Sequence, residues 1–577
     1  MKMVWGSEPH TAIRWMGWNP SLQGWGVEWL AWGCFFTQGE GMSAEMITNP
    51  ILPGFHPDPS ILRVGNDFYI ATSTFEWFPG VRIYHSRDLR HWRFLTAPLD
   101  RREMLDMRGE TASCGVWAPC LTHDGEYFYL IYSNTRSFAG PHWDVYNYLT
   151  RAKEITGPWS DPVYLNGSGF DPSLFHAPDG RKWLLNMLQD PRPGHHRFGG
   201  IEMTEYDPAA GRLIGEPEVI FKGSDLKITE GPHLYFREGW YYLMTAEGGT
   251  GYEHAVTMAR SRDLRGPYEI DPENPMLTSR DTDAALQKAG HGSLVDTPGG
   301  EWYLAHLCGR PVGSTRRCPL GRETALQKVY WDDDGWLRLA HGGNKPALQV
   351  PAPDLPAHEW LEEPEEVLFD GPQLPSEFQT LREPPEEQWL SLTERPGYLR
   401  LQGRLSLCSP FEQSLVGRRI QDFCCEAETE LEFAPEHYLQ TAGLAAFYDD
   451  QHWFYLHVSY EETQGRVLRL VVNEQYKTRE PVAPIPLPHG PVRLGAILEG
   501  AVLRFRYAVG EGEWCLLEPE LDASLLSDEV GQRYRFTGSF FVLCAQNHTL
   551  QKVPADFRKF GYRRKAEVGG QRCHQRS

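Results

Sequence analysis

Glu230-Gly231-Pro232-His233-Leu234-Tyr235-Phe236-Arg237-Glu238-Gly239-Trp240-Tyr241-Tyr242-Leu243 is the stretch on which the fold turns. A carboxyl residue beside a Gly-Pro pair opens it, a short apolar segment follows, a glycine makes the turn and an aromatic-rich run closes it. The order recurs along the chain. Ahead of it come Pro57-Asp58-Pro59-Ser60 leading to Gly65 and Asp67-Phe68-Tyr69-Ile70, then Trp117-Ala118-Pro119 leading to Gly125 and Tyr127-Phe128-Tyr129-Leu130, then Phe170-Asp171-Pro172-Ser173 leading to Gly180 and Lys182-Trp183-Leu184-Leu185. Behind it, His291-Gly292-Ser293 leads to Gly300 and Glu301-Trp302-Tyr303-Leu304.

The turn glycines Gly65, Gly125, Gly180, Gly239 and Gly300 are 55 to 61 residues apart, which suits a propeller blade of four short strands. Each copy supplies two strands joined by a glycine turn, followed by an outer element such as His85-Ser86-Arg87-Asp88-Leu89. The pattern predicts an all-β protein with a five-bladed β-propeller over residues 46–345. The first strand of a blade lines the central channel, so Asp58, Trp117, Asp171, Glu230 and His291 are expected to converge on one end of the axis. Three carboxyl groups, an indole and an imidazole at one channel mouth are not what core packing selects.

The texture changes after Leu337. Residues 346–366 are rich in proline and acidic side chains and read as a linker. Residues 367–565 carry short alternating segments, among them Tyr398-Leu399-Arg400-Leu401 and Trp453-Phe454-Tyr455-Leu456-His457-Val458, and predict an antiparallel β-sandwich. Residues 1–45 and 566–577 are expected to be an N-terminal extension and a C-terminal tail. The first 41 residues show no periodic pattern, and codons for Gly39-Glu40-Gly41 just ahead of Met42 could mimic a bacterial ribosome-binding site, so this stretch is expected to be dispensable.

Composition excludes some classes. With 56 Lys and Arg against 77 Asp and Glu, a net charge of -21 repels a phosphate backbone, so nucleic acid is not an expected partner. No apolar run approaches the ~20 residues that span a bilayer, and the apolar stretch Trp29–Phe36 lacks a basic leading segment and a cleavage site, so neither a membrane partner nor a secretory signal is expected. The 11 cysteines have irregular spacing and read as free thiols in a reducing compartment, which makes the cytoplasm the expected location.

Glycoside hydrolysis needs an acid to protonate the leaving oxygen, and either a base to activate water or a carboxylate to attack directly. Asp58 and Glu230 suit this pair. Pro57 and Pro59 restrict the backbone on both sides of Asp58, Glu230 has the longer reach, and Asp171 close to Glu230 would raise the pKa of the acid. Alone, each of the three reads as a turn or capping carboxylate. Equivalent positions in three blades reverse that reading.

Gly54-Phe55-His56-Pro57-Asp58-Pro59-Ser60, Thr74-Phe75-Glu76-Trp77-Phe78-Pro79-Gly80, Asn166-Gly167-Ser168-Gly169-Phe170-Asp171, Thr229-Glu230-Gly231-Pro232-His233 and Pro319-Leu320-Gly321-Arg322-Glu323-Thr324 resemble the β-xylosidases of glycoside hydrolase family 43. The resemblance runs in order from about Asn49 to Arg564 and implies that the sandwich is concanavalin-like. It implies Asp58 as general base, Asp171 as pKa modulator and orienter, and Glu230 as general acid. It further implies Phe75 and Trp117 as walls of a sugar pocket, Arg322 as a donor to substrate hydroxyls, and Phe536 as a pocket-closing residue from the sandwich. His291 has two readings, a satisfied polar core residue or a neighbour of a hydrated ion; the resemblance requires no cofactor but admits a structural Ca2+ in the channel, held through water.

The activity implied is exo-acting, inverting release of D-xylose from the non-reducing ends of β-1,4-xylooligosaccharides, with α-L-arabinofuranosidase side activity, in a homo-oligomer. A non-catalytic carbohydrate-binding propeller would need the aromatics and Arg322 but not Asp58 and Glu230 together. A structural propeller would need none of them.

Overall fold

The computed structural model describes residues 45–531 and 535–565. The N-terminal extension and the C-terminal tail expected from the sequence lie outside the described residues, apart from Glu45. Five antiparallel sheets follow one another along the chain, each built from strands in sequence order, with Trp77–Phe78 alone leaving the first blade between its second and third strands. Blade 1 is Ser60–Val64, Asp67–Thr72, Arg82–Ser86 and Arg93–Thr96; blade 2 is Gly115–His123, Phe128–Ser137, Asp144–Ala152 and Val163–Asn166. Blade 3 is Gly169–His176, Lys182–Gln189, Phe198–Asp207 and Arg212–Phe221. Blade 4 is Glu230–Arg237, Trp240–Glu247, Ala255–Ser261 and Glu269–Ile270, with Leu277–Thr278 paired to its third strand. Blade 5 is Gln287–Asp296, Trp302–Gly309, Arg322–Trp331 and Leu337–Leu339.

All five turn glycines between first and second strands have φ between +63° and +98°. At Gly65, Gly125, Gly180 and Gly300 an added Cβ would meet nothing within 4 Å. Conformation, not space, requires glycine there. Inside the ring, side-chain hydroxyls tie neighbouring first strands together: Ser293 Oγ accepts from Ile61 N at 3.0 Å, and Ser60 Oγ accepts from Leu121 N at 3.0 Å. The first of these joins blade 5 to blade 1 and closes the ring.

The closing seam is reinforced from outside the blades. Met46–Thr48 pairs antiparallel with Gln349–Pro351, inside the segment read as a linker. The Asn49 side chain imitates a strand partner, donating to Leu326 O at 2.8 Å and accepting from Leu326 N at 2.8 Å. Farther along the same segment, Trp360 Nε1 donates to His91 O at 3.2 Å, and the Arg93 guanidinium lies 3.8 Å from the Trp360 ring centre. Residues 346–366 are thereby anchored along blade 1.

The second module is a sandwich of two nine-stranded antiparallel sheets. In Cys424–Glu432 the alternation is plain, with Ala427 and Leu431 buried while Glu428, Glu430 and Glu432 face outward. One sheet includes Ser414–Arg419, Phe540–Asn547 and Phe378–Leu381, and its edge is a strand from the propeller: Trp77–Phe78 pairs with Phe378–Leu381 through Phe78 opposite Thr380 and Trp77 opposite Leu381. Trp77 is fully buried and stacks on Phe540 with ring centres 3.7 Å apart and planes at 16°. One apolar cluster accordingly spans both modules, with Phe55, Phe75 and Trp117 on one side and Leu415, Phe447 and Val542 on the other. Burial of this shared surface joins the modules into one unit.

Cys114, Cys120, Cys308, Cys318, Cys408, Cys425, Cys515 and Cys544 are free thiols. Among the described residues, no helix is long and apolar enough to cross a membrane.

Candidate active site

The five blades begin with the same backbone device. Asp58, Ala118, Asp171, Gly231 and His291 all have positive φ, from +34° to +56°. In blades 2 to 5 the pairing register breaks there, between Trp117 and Cys120, Phe170 and Ser173, Glu230 and His233, and Gly290 and Gly292. Such a bulge bends the strand and re-aims a side chain. A left-handed conformation costs a non-glycine residue about 1–2 kcal/mol, less for Asp, and here it turns Asp58, Asp171 and His291 toward the channel mouth. Trp117 and Glu230 sit one residue ahead of the bend.

Asp58 is held from two sides. Its Oδ2 accepts from Ser73 Oγ at 2.6 Å, and its Oδ1 accepts from Arg322 NH1 at 3.2 Å. Ser73 Oγ accepts in turn from Ala118 N at 2.7 Å, so the hydroxyl proton has one direction left and points at Asp58. Asp171 Oδ2 accepts the Gly231 N–H at 3.1 Å, directly beside Glu230. Burial, reinforced by the charges of Asp171 and Asp58, pushes the Glu230 carboxyl well above the ordinary range. Asp171 is also pushed up by burial and by Asp58, but the Gly231 N–H and Arg322 favour its ionised form. Arg322 acts on both carboxyl groups, so the Gly231 N–H is what separates them, favouring ionised Asp171 beside a half-buried Glu230 carboxyl that opens on the pocket.

Arg322 is the hub of this site. NH1 donates to Asp58 and, at 3.0 Å, to Thr250 Oγ1; NH2 donates to Phe536 O at 2.9 Å; Nε lies 3.9 Å from Asp528 Oδ2. The guanidinium lies beside the stacked pair Phe75 and Phe536, 5.2 and 5.3 Å from their ring centres. His291 Nδ1 is 3.9 Å from Asp58 Oδ1, and burial, partly opposed by Asp58, lowers its imidazole pKa and favours the neutral form. Calcium takes six to eight oxygen ligands. Among the described residues no three His, Cys, Asp or Glu side chains converge as a metal site, and the Asp58 oxygens are engaged by Ser73 and Arg322. These residues do not form a direct calcium cage.

The walls are aromatic. Phe536 stacks on Phe75 at 5.8 Å and meets Trp117 edge-on at 5.4 Å; Trp143 stacks on Phe170 at 5.6 Å, and Phe198 continues the line. With Asp58, Asp171, Glu230, His291 and Arg322 they enclose a cavity of about 290 Å3. Flat apolar faces with a few directed polar groups are suited to a sugar ring. Ser113 fixes two walls at once, its carbonyl accepting from Trp117 Nε1 at 2.9 Å and its Oγ from Phe536 N at 3.1 Å, while its own N–H donates to Glu76 Oε2 at 3.0 Å.

All eight side chains singled out from the sequence reach this pocket: Asp58, Phe75, Trp117, Asp171, Glu230, His291, Arg322 and Phe536. Sequence reasoning missed Ser73, Ser113, Thr250, Asp528 and the wall formed by Trp143, Phe170 and Phe198. A signal existed for part of this set. In an antiparallel blade the start of the first strand and the connection between second and third strands lie at the same end, and Phe75, Trp143 and Thr250 all lie on such connections.

Residues 47–337 match the description Glycosyl hydrolases family 43, and residues 366–563 match Beta xylosidase C-terminal Concanavalin A-like domain. The chain is 50% identical over 531 residues to Xylosidase/arabinosidase 43B of Humicola insolens, covering 90% of this chain and 97% of the relative. It is 46% identical to Xylan 1,3-beta-xylosidase of a Vibrio species, covering 89% of this chain and 99% of the relative. Its fold superposes on the crystal structure of xylan beta-1,4-xylosidase from Bacillus halodurans C-125 with a TM-score of 0.88 and 53% identity, covering 89% of this chain and 99% of that one.

Proposed function

Because the chain belongs to glycoside hydrolase family 43, we propose that it releases D-xylose from the non-reducing ends of short β-1,4-linked xylooligosaccharides by a single inverting displacement. The observation that carries the reading is the convergence of Asp58, Asp171 and Glu230 with Arg322 in one aromatic pocket. Glu230, kept protonated by burial and by Asp171, donates its proton to the leaving glycosidic oxygen. Asp58, oriented by Ser73 and Arg322, takes a proton from water as that water attacks the anomeric carbon from the opposite face. Arg322 presents a planar fork to the sugar hydroxyls. The Phe536 wall, brought by the sandwich, favours a chain end over an open groove. A divalent ion in the channel would be held only through water at His291, and its role would be structural.

A second activity, on α-L-arabinofuranosides, is supported by the combined naming of the Humicola relative. The 1,3-linked preference named for the Vibrio relative leaves linkage to be measured. One panel tests the whole reading: hydrolysis of β-1,4-xylobiose, β-1,3-xylobiose, an aryl β-xyloside and an aryl α-L-arabinofuranoside. β-1,4-Xylobiose and the aryl xyloside are expected to turn over fastest. Binding of these sugars without turnover would replace the enzyme reading by that of a binding propeller.

A further inference from the structure

Between blade 1 and the sandwich, on the other side of Phe55 from the pocket, lies a separate cavity of about 460 Å3 whose lining includes Arg82, Arg93, Arg418 and Arg419. Three of these guanidinium groups are buried, with 3% of Arg82 and 5% of each of Arg418 and Arg419 exposed. They come from both modules, Arg82 from Arg82–Ser86 and the other two from Ser414–Arg419.

Their hydrogen-bond partners are mostly neutral. Arg82 donates from Nε to Tyr84 Oη at 3.0 Å and from NH2 to Ser376 O at 3.0 Å; Arg419 donates from Nε to Phe55 O at 2.9 Å. Arg418 NH2 meets Glu363 at 3.2 Å, and that carboxylate side chain is half exposed. Arg418 Nε and NH1 and Arg419 NH2 are buried with no hydrogen-bond partner. No carboxylate lies within ion-pair distance of Arg82 or Arg419 among the described residues. The shared positive potential is visible in the neighbours: His56, buried against the same wall, is held well below its usual pKa by burial and then by the charges of Arg419 and Arg82. Arg419 is itself pushed down to about 10, chiefly by burial.

Burying like charges without a counter-ion is costly, because each loses its hydration and gains repulsion in exchange. Glu362, Glu363 and Glu377 also line the cavity, yet of these only Glu363 pairs with one of the three buried arginines, so a small anion is a simple means of balancing the other two. We propose that this cavity binds a small oxyanion of the phosphate class, held by the Arg82, Arg418 and Arg419 guanidinium groups. Such groups match tetrahedral oxyanions through paired, charge-assisted hydrogen bonds. The bound anion neutralises Arg419, which holds the Phe55 carbonyl, and so strengthens the joint between blade 1 and the sandwich. The inference is independent of the glycosidase reading.

The test uses the full chain and inorganic phosphate, with and without xylose, at constant ionic strength against chloride. Titration calorimetry is expected to show saturable heat for one site, unaffected by xylose, and Tm is expected to rise with the logarithm of phosphate concentration above Kd. Arg419→Gln and Arg82→Gln are each expected to weaken phosphate binding about tenfold or more, while Arg101→Gln, at an exposed position elsewhere, leaves it unchanged. Glu363→Gln removes the carboxylate that competes for Arg418 and is expected to tighten binding, a readout that survives even if the arginine variants fold poorly. Phosphate acting no differently from chloride on the unaltered protein overturns the proposal. So does unchanged affinity in both Arg419→Gln and Arg82→Gln, or unchanged or weaker affinity in Glu363→Gln.

Discussion

Asp58 and Glu230 reach one pocket in different surroundings, and the difference assigns their work. Glu230 has burial and two neighbouring carboxyl groups keeping its proton on, whereas Asp58 has a hydroxyl and a guanidinium directed at its oxygens. Glu230→Ala is expected to lower kcat/KM on xylobiose by about 10²–10⁴. An aryl xyloside with an acidic phenol needs little protonation and should lose far less. Asp58→Ala is expected to cripple both substrates, because neither can supply activated water. Proton NMR of the first-formed xylose should show the α-anomer; initial β-xylose would instead make Asp58 a nucleophile. Asp171 adds a pH signature. The acid must be protonated, so activity is lost as pH rises through the Glu230 pKa, and Asp171 is among the causes that raise it. Asp171→Asn is therefore expected to move the basic limb of the kcat/KM profile to lower pH, and a limb that stays put would remove Asp171 from this role.

At the scale of elements, the pocket depends on a close approach between two loops far apart in the chain. Gly321 has φ +76°, and a Cβ on it would meet Thr537 O at 2.5 Å and Gly538 Cα at 2.8 Å. A Cβ on Gly538 would meet Leu320 O at 2.7 Å and Phe55 Cβ at 2.8 Å. These contacts are largely to backbone, which no rotamer change relieves. They also lie next to Arg322 and Phe536, so they set the 2.9 Å bond between the arginine and the Phe536 carbonyl. Gly538→Ala is expected to push the sandwich loop outward, destabilise the protein by about 1–3 kcal/mol and raise KM on xylobiose about tenfold or more. Steady-state kinetics beside a denaturant titration would check this, and unchanged KM would show that the loop does not shape the pocket. The two-residue strand Trp77–Phe78 has the same logic. By joining the sandwich sheet it ties the loop that carries Phe75 to the module that supplies Phe536 to the same pocket.

Across the whole molecule, the joint between propeller and sandwich buries carboxyl groups outside the pocket. Glu76 and Glu110 are almost fully buried, and burial pushes them up to about 7 and about 8 from a usual 4.5. A carboxyl whose folded pKa is raised contributes stability that is complete below about pH 4.5 and is lost as pH climbs toward the folded value. Denaturant stability is accordingly expected to decline between about pH 5 and pH 8. Glu110→Gln, which cannot ionise, should flatten that decline, and equal slopes for both proteins would refute the assignment. Such a joint could not be seen in one dimension, whereas much else could. Regular recurrence of a glycine turn followed by an aromatic run determines five blades, because each turn needs φ above zero and each blade repeats one local pattern. The same repeat registers Asp58, Asp171 and Glu230 at equivalent points, so their convergence follows from the sequence itself. Tertiary structure alone decided which groups meet across the joint: Arg322 with the Phe536 carbonyl and Asp528, Trp77–Phe78 with the sandwich sheet, and Arg82 with Arg419. Two residues of strand have too little length to show a period, and contacts between modules depend on how separately folded faces close on each other, which no local pattern encodes.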